Sequence, residues 1–191
     1  MGDASAAVEI CLAILPKTRT YGYAVIEARA QVALGDAYLA LGKFAEAEAA
    51  FQEARHLAQG RFFQLSVEAL AGLGIAAIRQ GHYHTGEARL RQGLVEGWPA
   101  GLLPDVLAAV IGLAEIRAHT GDGFTARRWL QVAIAHPSTI YLARVHAQEV
   151  LLRLGQQETG ADEIRDPQAV LQEIVTAIMA SSDGVAEYAQ D

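Results

Sequence analysis

A single cysteine, Cys11, occurs in the 191 residues. That excludes an intrachain disulfide and leaves a thiolate metal site without a second ligand, so Cys11 reads as a small core residue. Long apolar runs are missing as well. Glu27, Asp36, Arg79 and Arg117 interrupt each candidate before it reaches the roughly 20 residues of a membrane span. Positive charge is scarce: 15 Lys and Arg stand against 22 Asp and Glu, a net charge of −7, and the one basic cluster is Arg127-Arg128. Because nucleic-acid affinity comes largely from neutralising phosphates, this balance argues against direct DNA or RNA contact and favours a basic or apolar partner. The N-terminus is acidic before its apolar stretch, unlike a secretory signal. Its Met-Gly start is followed at residue 6 by Ala, not by the Ser or Thr of a myristoylation site. The expected location is the cytoplasm, with no membrane partner.

Catalytic motifs are equally thin. The sequence has no Gly-rich phosphate loop, no H-E-x-x-H pair and no recognisable nucleophile–base set. His82-Tyr83-His84 raises the question of a metal, with His119, His136 and His146 elsewhere. His82 and His84, however, are two apart at a helix start, where their side chains diverge and the positive end of the dipole opposes a cation. The expectation is a non-enzymatic chain with no metal and no cofactor.

What is abundant is alanine, with glycine inside helical patterns. The stretch LGDAYLALGKFAEAEAAFQEARHL, residues 34 to 57, places Leu34, Gly35 and Tyr38 on one helix and Ala47, Phe51 and Ala54 on the next, with Gly42 at the turn. The order recurs as Leu73, Gly74, Gly81, Gly86 and Leu90, and again as Leu113, Ala114, Gly121, Ala126 and Leu130. The turn glycines are 39 and 40 residues apart, and the large residue of the second helix recurs as Cys11, Phe51, Leu90 and Leu130. Small residues four positions before it (Ala7, Ala47, Gly86, Ala126) let paired helices approach. Gly35, Gly72, Gly74 and Gly112 each cost about 0.8 to 1 kcal/mol relative to Ala within a helix, so each is expected where a side chain would collide.

These residues resemble the tetratricopeptide repeat family, with a period longer than its usual 34 or so residues. The resemblance implies an all-α, right-handed solenoid of antiparallel helix pairs with a C-terminal capping helix. One domain is expected over 1–180: a half repeat at 3–15, full repeats at 23–58, 62–97 and 104–136, closing helices at 139–155 and 166–180, and a flexible tail at 181–191. GWPAGLLPD, residues 97–105, reads as an inter-repeat loop, and QQETGADEIR as a polar linker. Asp166-Pro167 reads as an N-cap with a first-turn proline, opening an apolar stripe from Val170 to Met179.

In this family the first helices of the pairs line a concave groove. Carried onto this chain, the groove positions include Arg29 and Asp36 in the first full repeat, and Glu68, Gly72, Ile75 and Arg79 in the second. The third gives Ile111, Gly112, Glu115 and His119, and the last helix gives His146, Glu149 and Arg153. The Lys/Asn/Arg clamp of chaperone-binding members is replaced by Val32, Asp36, Ala108 and Gly112. Gly72 and Gly112 either accommodate a neighbouring helix or clear floor space for a partner. Glu115 with His119, and Glu149 with Arg153, are either solvated i,i+4 pairs worth about 0.2 to 0.5 kcal/mol or groove-binding groups. The long period, the half repeat and the closing helix are similar to the C-terminal sensor region of signal-transducing ATPases, including the maltose-regulon activator type of transcription regulator. That resemblance implies a scaffold or sensor that holds a protein segment or small effector. The other expectation is self-association, a symmetric dimer stacked through the N-terminal end.

Overall fold

Left-handed glycines set the chain's punctuation. Gly42, Gly81 and Gly121 have φ of +72°, +82° and +92°, a region that Cβ sterics close to most residues. In each turn a backbone N–H beyond the glycine bonds back to a carbonyl of the helix just ended, as Lys43 does to Tyr38 at 2.9 Å and Asp122 to Arg117 at 2.9 Å. The repeated spacing of these glycines thus marks repeated helix ends.

The computed structural model describes residues 2–155 and 166–181. Within them lie nine α-helices and no strand: α1 (Gly2–Tyr21), α2 (Ala24–Ala40), α3 (Phe44–Ala58), α4 (Phe63–Arg79), α5 (Tyr83–Gly97), α6 (Leu103–His119), α7 (Gly123–Ala135), α8 (Tyr141–Arg153) and α9 (Pro167–Ala180). The linker QQETGADEIR and the tail beyond Ser181 lie outside the described residues. α1 runs past the expected boundary at residue 15. Pro16 sits inside it on an exposed side, where water can take the hydrogen bond that the missing N–H leaves unmade.

The helices group into two compact units, divided between Gly93 and Leu94. In the first unit, consecutive helices pack from α1 to α4, and α2 also touches α4 directly. Its core is built on alanine. Ala28, Ala47, Ala54, Ala58, Ala69 and Ala76 surround Val32, Phe51, Leu65 and Leu73, while Cys11 and Leu15 of α1 pack with Ala30, Leu34 and Ala50. α4 and α5 meet backbone to backbone: a β-carbon on Gly74 would fall 2.5 Å from Leu90 Cγ, and one on Gly86 would fall 3.0 Å from the Gly74 carbonyl. Glycine at those positions lets bulky Leu90 and Ile78 fill the crossing.

In the second unit α7 packs against α6, α8 and α9, and α6 touches α8. Asp166 caps α9, accepting from the N–H groups of Gln168 and Ala169 at 3.1 and 3.0 Å. Leu171, Ile174, Val175 and Ile178 are buried. In both units, then, alternate helices contact one another as well as the helix between them. That is the arrangement of a helical repeat array.

Candidate functional site

Charged side chains bridge the alternate helices in both units. In the first, Arg29 Nη1 of α2 donates to Glu68 Oε2 of α4 at 2.6 Å. The two residues are 39 apart, one repeat, and occupy the same register position. Asp36 lies two turns further along α2. Its carboxyl is pushed up to about 7, first by loss of hydration, then by the negative charge of Glu68, and the attraction of Arg29 only partly offsets both. Solvent reaches Asp36, yet the surrounding protein mass removes much of the water that would stabilise its charge. With Arg29 engaged by Glu68, the group holds two carboxylates and one guanidinium.

In the second unit Glu115 of α6 is buried and receives two donors from α8. His146 Nε2 lies 2.8 Å from Oε2, and Arg153 Nη1 donates to Oε1 at 3.1 Å. His146 is mostly covered, whereas the Arg153 side chain is 55% exposed. One carboxylate thus ties the middle and the C-terminal end of α8 to α6. The sequence pattern offers Glu115–His119 and Glu149–Arg153 as pairs within single helices. Of the second pair, Arg153 reaches across to Glu115, because α6 and α8 pack side by side, and Glu149 points into solvent.

Several expected groove residues are covered. Gly72, Ile111 and Gly112 are buried and present no surface to a partner. For Gly72 the reason is direct: a β-carbon there would fall 2.5 Å from the Phe51 ring. Ile75 and Arg79 are half-buried, and His119 is exposed at the end of α6. Sequence reasoning placed His146 on the groove side but gave no reason to join it to Glu115. The separation of 31 matches no repeat period, so the repeat pattern in the sequence does not join the two.

That turn has its own lock. His136 is buried, with Nε2 2.7 Å from Gln168 Oε1 of α9 and Nδ1 accepting from the Ser138 N–H at 3.1 Å. Arg144 donates to the carbonyls of Ile134, His136 and Thr139. Among the described residues no cluster of three or more His, Cys, Asp or Glu has metal-holding geometry, and no helix is long and apolar enough to cross a membrane. Compared with known proteins, the chain matches no family model, no curated protein and no solved structure.

Proposed function

We propose that this chain acts by binding rather than by catalysis: a tetratricopeptide-type, right-handed array whose alternate helices hold a segment of a partner protein. The observation that carries the reading is the Arg29–Glu68–Asp36 group, because it sets a partly satisfied charge on helices that pack side by side. Asp36 sits among groups that make its charge unfavourable, and a cationic side chain brought to it relieves that cost. A basic segment also fits the net charge of −7. The repeat spacing supports placing the array in the sensor region of a larger signalling or transcription-regulatory ATPase, working in the cytoplasm without direct contact to nucleic acid.

The test uses the chain as bait in a cell extract, beside an Asp36→Lys/Glu68→Lys variant and an α1 variant, Ile10→Glu. Partners held by the alternate helices are lost from the first variant and kept by the second. Partners retained by the charge-reversed variant would overturn the assignment.

A further inference from the structure

α1 buries one side and leaves the other bare. Cys11, Leu15 and Thr18 face inward, with Ala4, Ala7 and Val8 partly covered. About 100° round the helix from the buried side, a stripe at helical spacing, Asp3, Ala6, Ile10, Ile14 and Lys17, is exposed throughout. Ile10 is 58% exposed and Ile14 38%, so the centre of the stripe is apolar and its two ends carry opposite charge. Arg19, off the stripe, is held by Glu27 at 2.7 Å.

The positions are symmetric about Ile10. Asp3 lies seven residues before it and Lys17 seven after; Ala6 lies four before and Ile14 four after. Seven residues are nearly two helical turns, so the stripe drifts by only about 20° on either side of its centre. If a second α1 is laid antiparallel with Ile10 on a two-fold axis, Asp3 meets Lys17 of the other copy at both ends. Each Ile14 then faces an Ala6, large against small. A parallel pairing in the same register sets Asp3 against Asp3 and Lys17 against Lys17, which is repulsive at both ends. A self-complementary patch of this kind is what an isologous interface requires.

We infer that the exposed face of α1 is a homodimer interface, occupied by α1 of a second copy in antiparallel register centred on Ile10. This interface is separate from the charged groups on α2 and α4, so it stands or falls independently of the binding role proposed above.

Charge reversal tests the register. Asp3→Lys and Lys17→Glu each place like charges together twice per dimer and weaken self-association by about tenfold or more, a factor consistent with two rim pairs of up to about 1 kcal/mol each. Mixing the two single variants restores every pair as attractive, so the mixture forms heterodimers at concentrations where each variant alone is monomeric. The double variant Asp3→Lys/Lys17→Glu regains the homodimer. Sedimentation equilibrium of the full chain reads the masses, and circular dichroism confirms unchanged helix content at these exposed positions. A wild-type chain that stays monomeric at about 0.5 mM, or single variants that fail to pair when mixed, would overturn the inference.

Discussion

The ring of Phe51 fills the space that a β-carbon on Gly72 would need. Ring carbons Cε1 and Cζ lie 2.5 Å from that point, and the same ring lies 2.7 Å from the corresponding point on Gly35. Phe51 of α3 is therefore clasped by glycines of α2 and α4, the two alternate helices that touch. Because the ring is confined on both sides and 1% exposed, it has nowhere to move. Gly72→Ala should lower stability by about 1 to 3 kcal/mol from overpacking, despite alanine's better helix propensity. Thermal unfolding reads this as a fall on the order of 2 to 4 °C per kcal/mol for a chain of this size. Gly93→Ala is the control: its β-carbon would meet Leu70 Cβ at an ordinary 3.5 Å, so stability should rise by about 0.5 to 1 kcal/mol. Equal losses at both positions would refute the clasp.

Asp36 gives the fold a pH signature. Its folded carboxyl, at about 7, is raised from 3.8 by desolvation and Glu68. Between those values the folded state holds a proton that the unfolded state has lost, so this group's contribution to stability falls as pH rises through that window. Above about 7 the penalty is complete; below about 4 it vanishes. Asp36→Asn should therefore raise the melting temperature at pH 8 and leave it unchanged near pH 3.5. Solvent access to the residue screens the effect and keeps it small. A wild-type and variant pair with parallel stability curves from pH 4 to 8 would contradict the assigned environment.

The repeat architecture was legible in the sequence because close helix packing restricts residue type: Ala47, Gly86 and Ala126 are small for the same reason, and Gly42, Gly81 and Gly121 end helices for the same reason. Gly72 illustrates the limit. One sequence cannot say whether a helical glycine clears room for a neighbour or for a ligand, since both demand an absent side chain. Glu115 illustrates another. Spacing within a helix points only to His119; His146 and Arg153, which the packing of α6 on α8 supplies from 31 and 38 residues away, leave no mark in that spacing. Such pairings follow from the packing of α8 on α6, and no local pattern encodes it.

Truncating the partners of Glu115 should have unequal consequences. Arg153 is more than half exposed, so losing it costs less than about 1 kcal/mol. His146 and Glu115 are both mostly covered at 2.8 Å, and Glu115→Ala strands a covered imidazole and frees a guanidinium. That loss should be about 2 to 3 kcal/mol, the scale for breaking a largely buried polar pair. Urea unfolding midpoints of Arg153→Ala, His146→Ala and Glu115→Ala should fall in that order of severity, mildest first. An Arg153→Ala loss as large as that of Glu115→Ala would mean the cluster is organised from its exposed end.

Arg144 decides where α8 begins. Its guanidinium donates to the carbonyls of Ile134 in the last turn of α7, His136 at its C-cap and Thr139 in the turn before α8, the first two lying where the helix runs out of its own N–H donors. The forked donor geometry can satisfy several at once, and an ammonium on a flexible stem cannot reproduce it. Arg144→Lys should cost about 1 kcal/mol and Arg144→Ala about 2, because charge-assisted bonds to covered carbonyls are lost. The comparison is Arg128, whose contact with Glu173 is 3.5 Å between two largely exposed side chains; Arg128→Ala should cost under about 0.5 kcal/mol. His146 lies two residues after Arg144, so loosening the α7–α8 turn also loosens its bond to Glu115. Hydrogen exchange should show the α8 amides opening in Arg144→Ala while those of α6 stay protected. If α8 protection is unchanged, the helix is positioned by its packing on α6 and α7 and the turn merely follows.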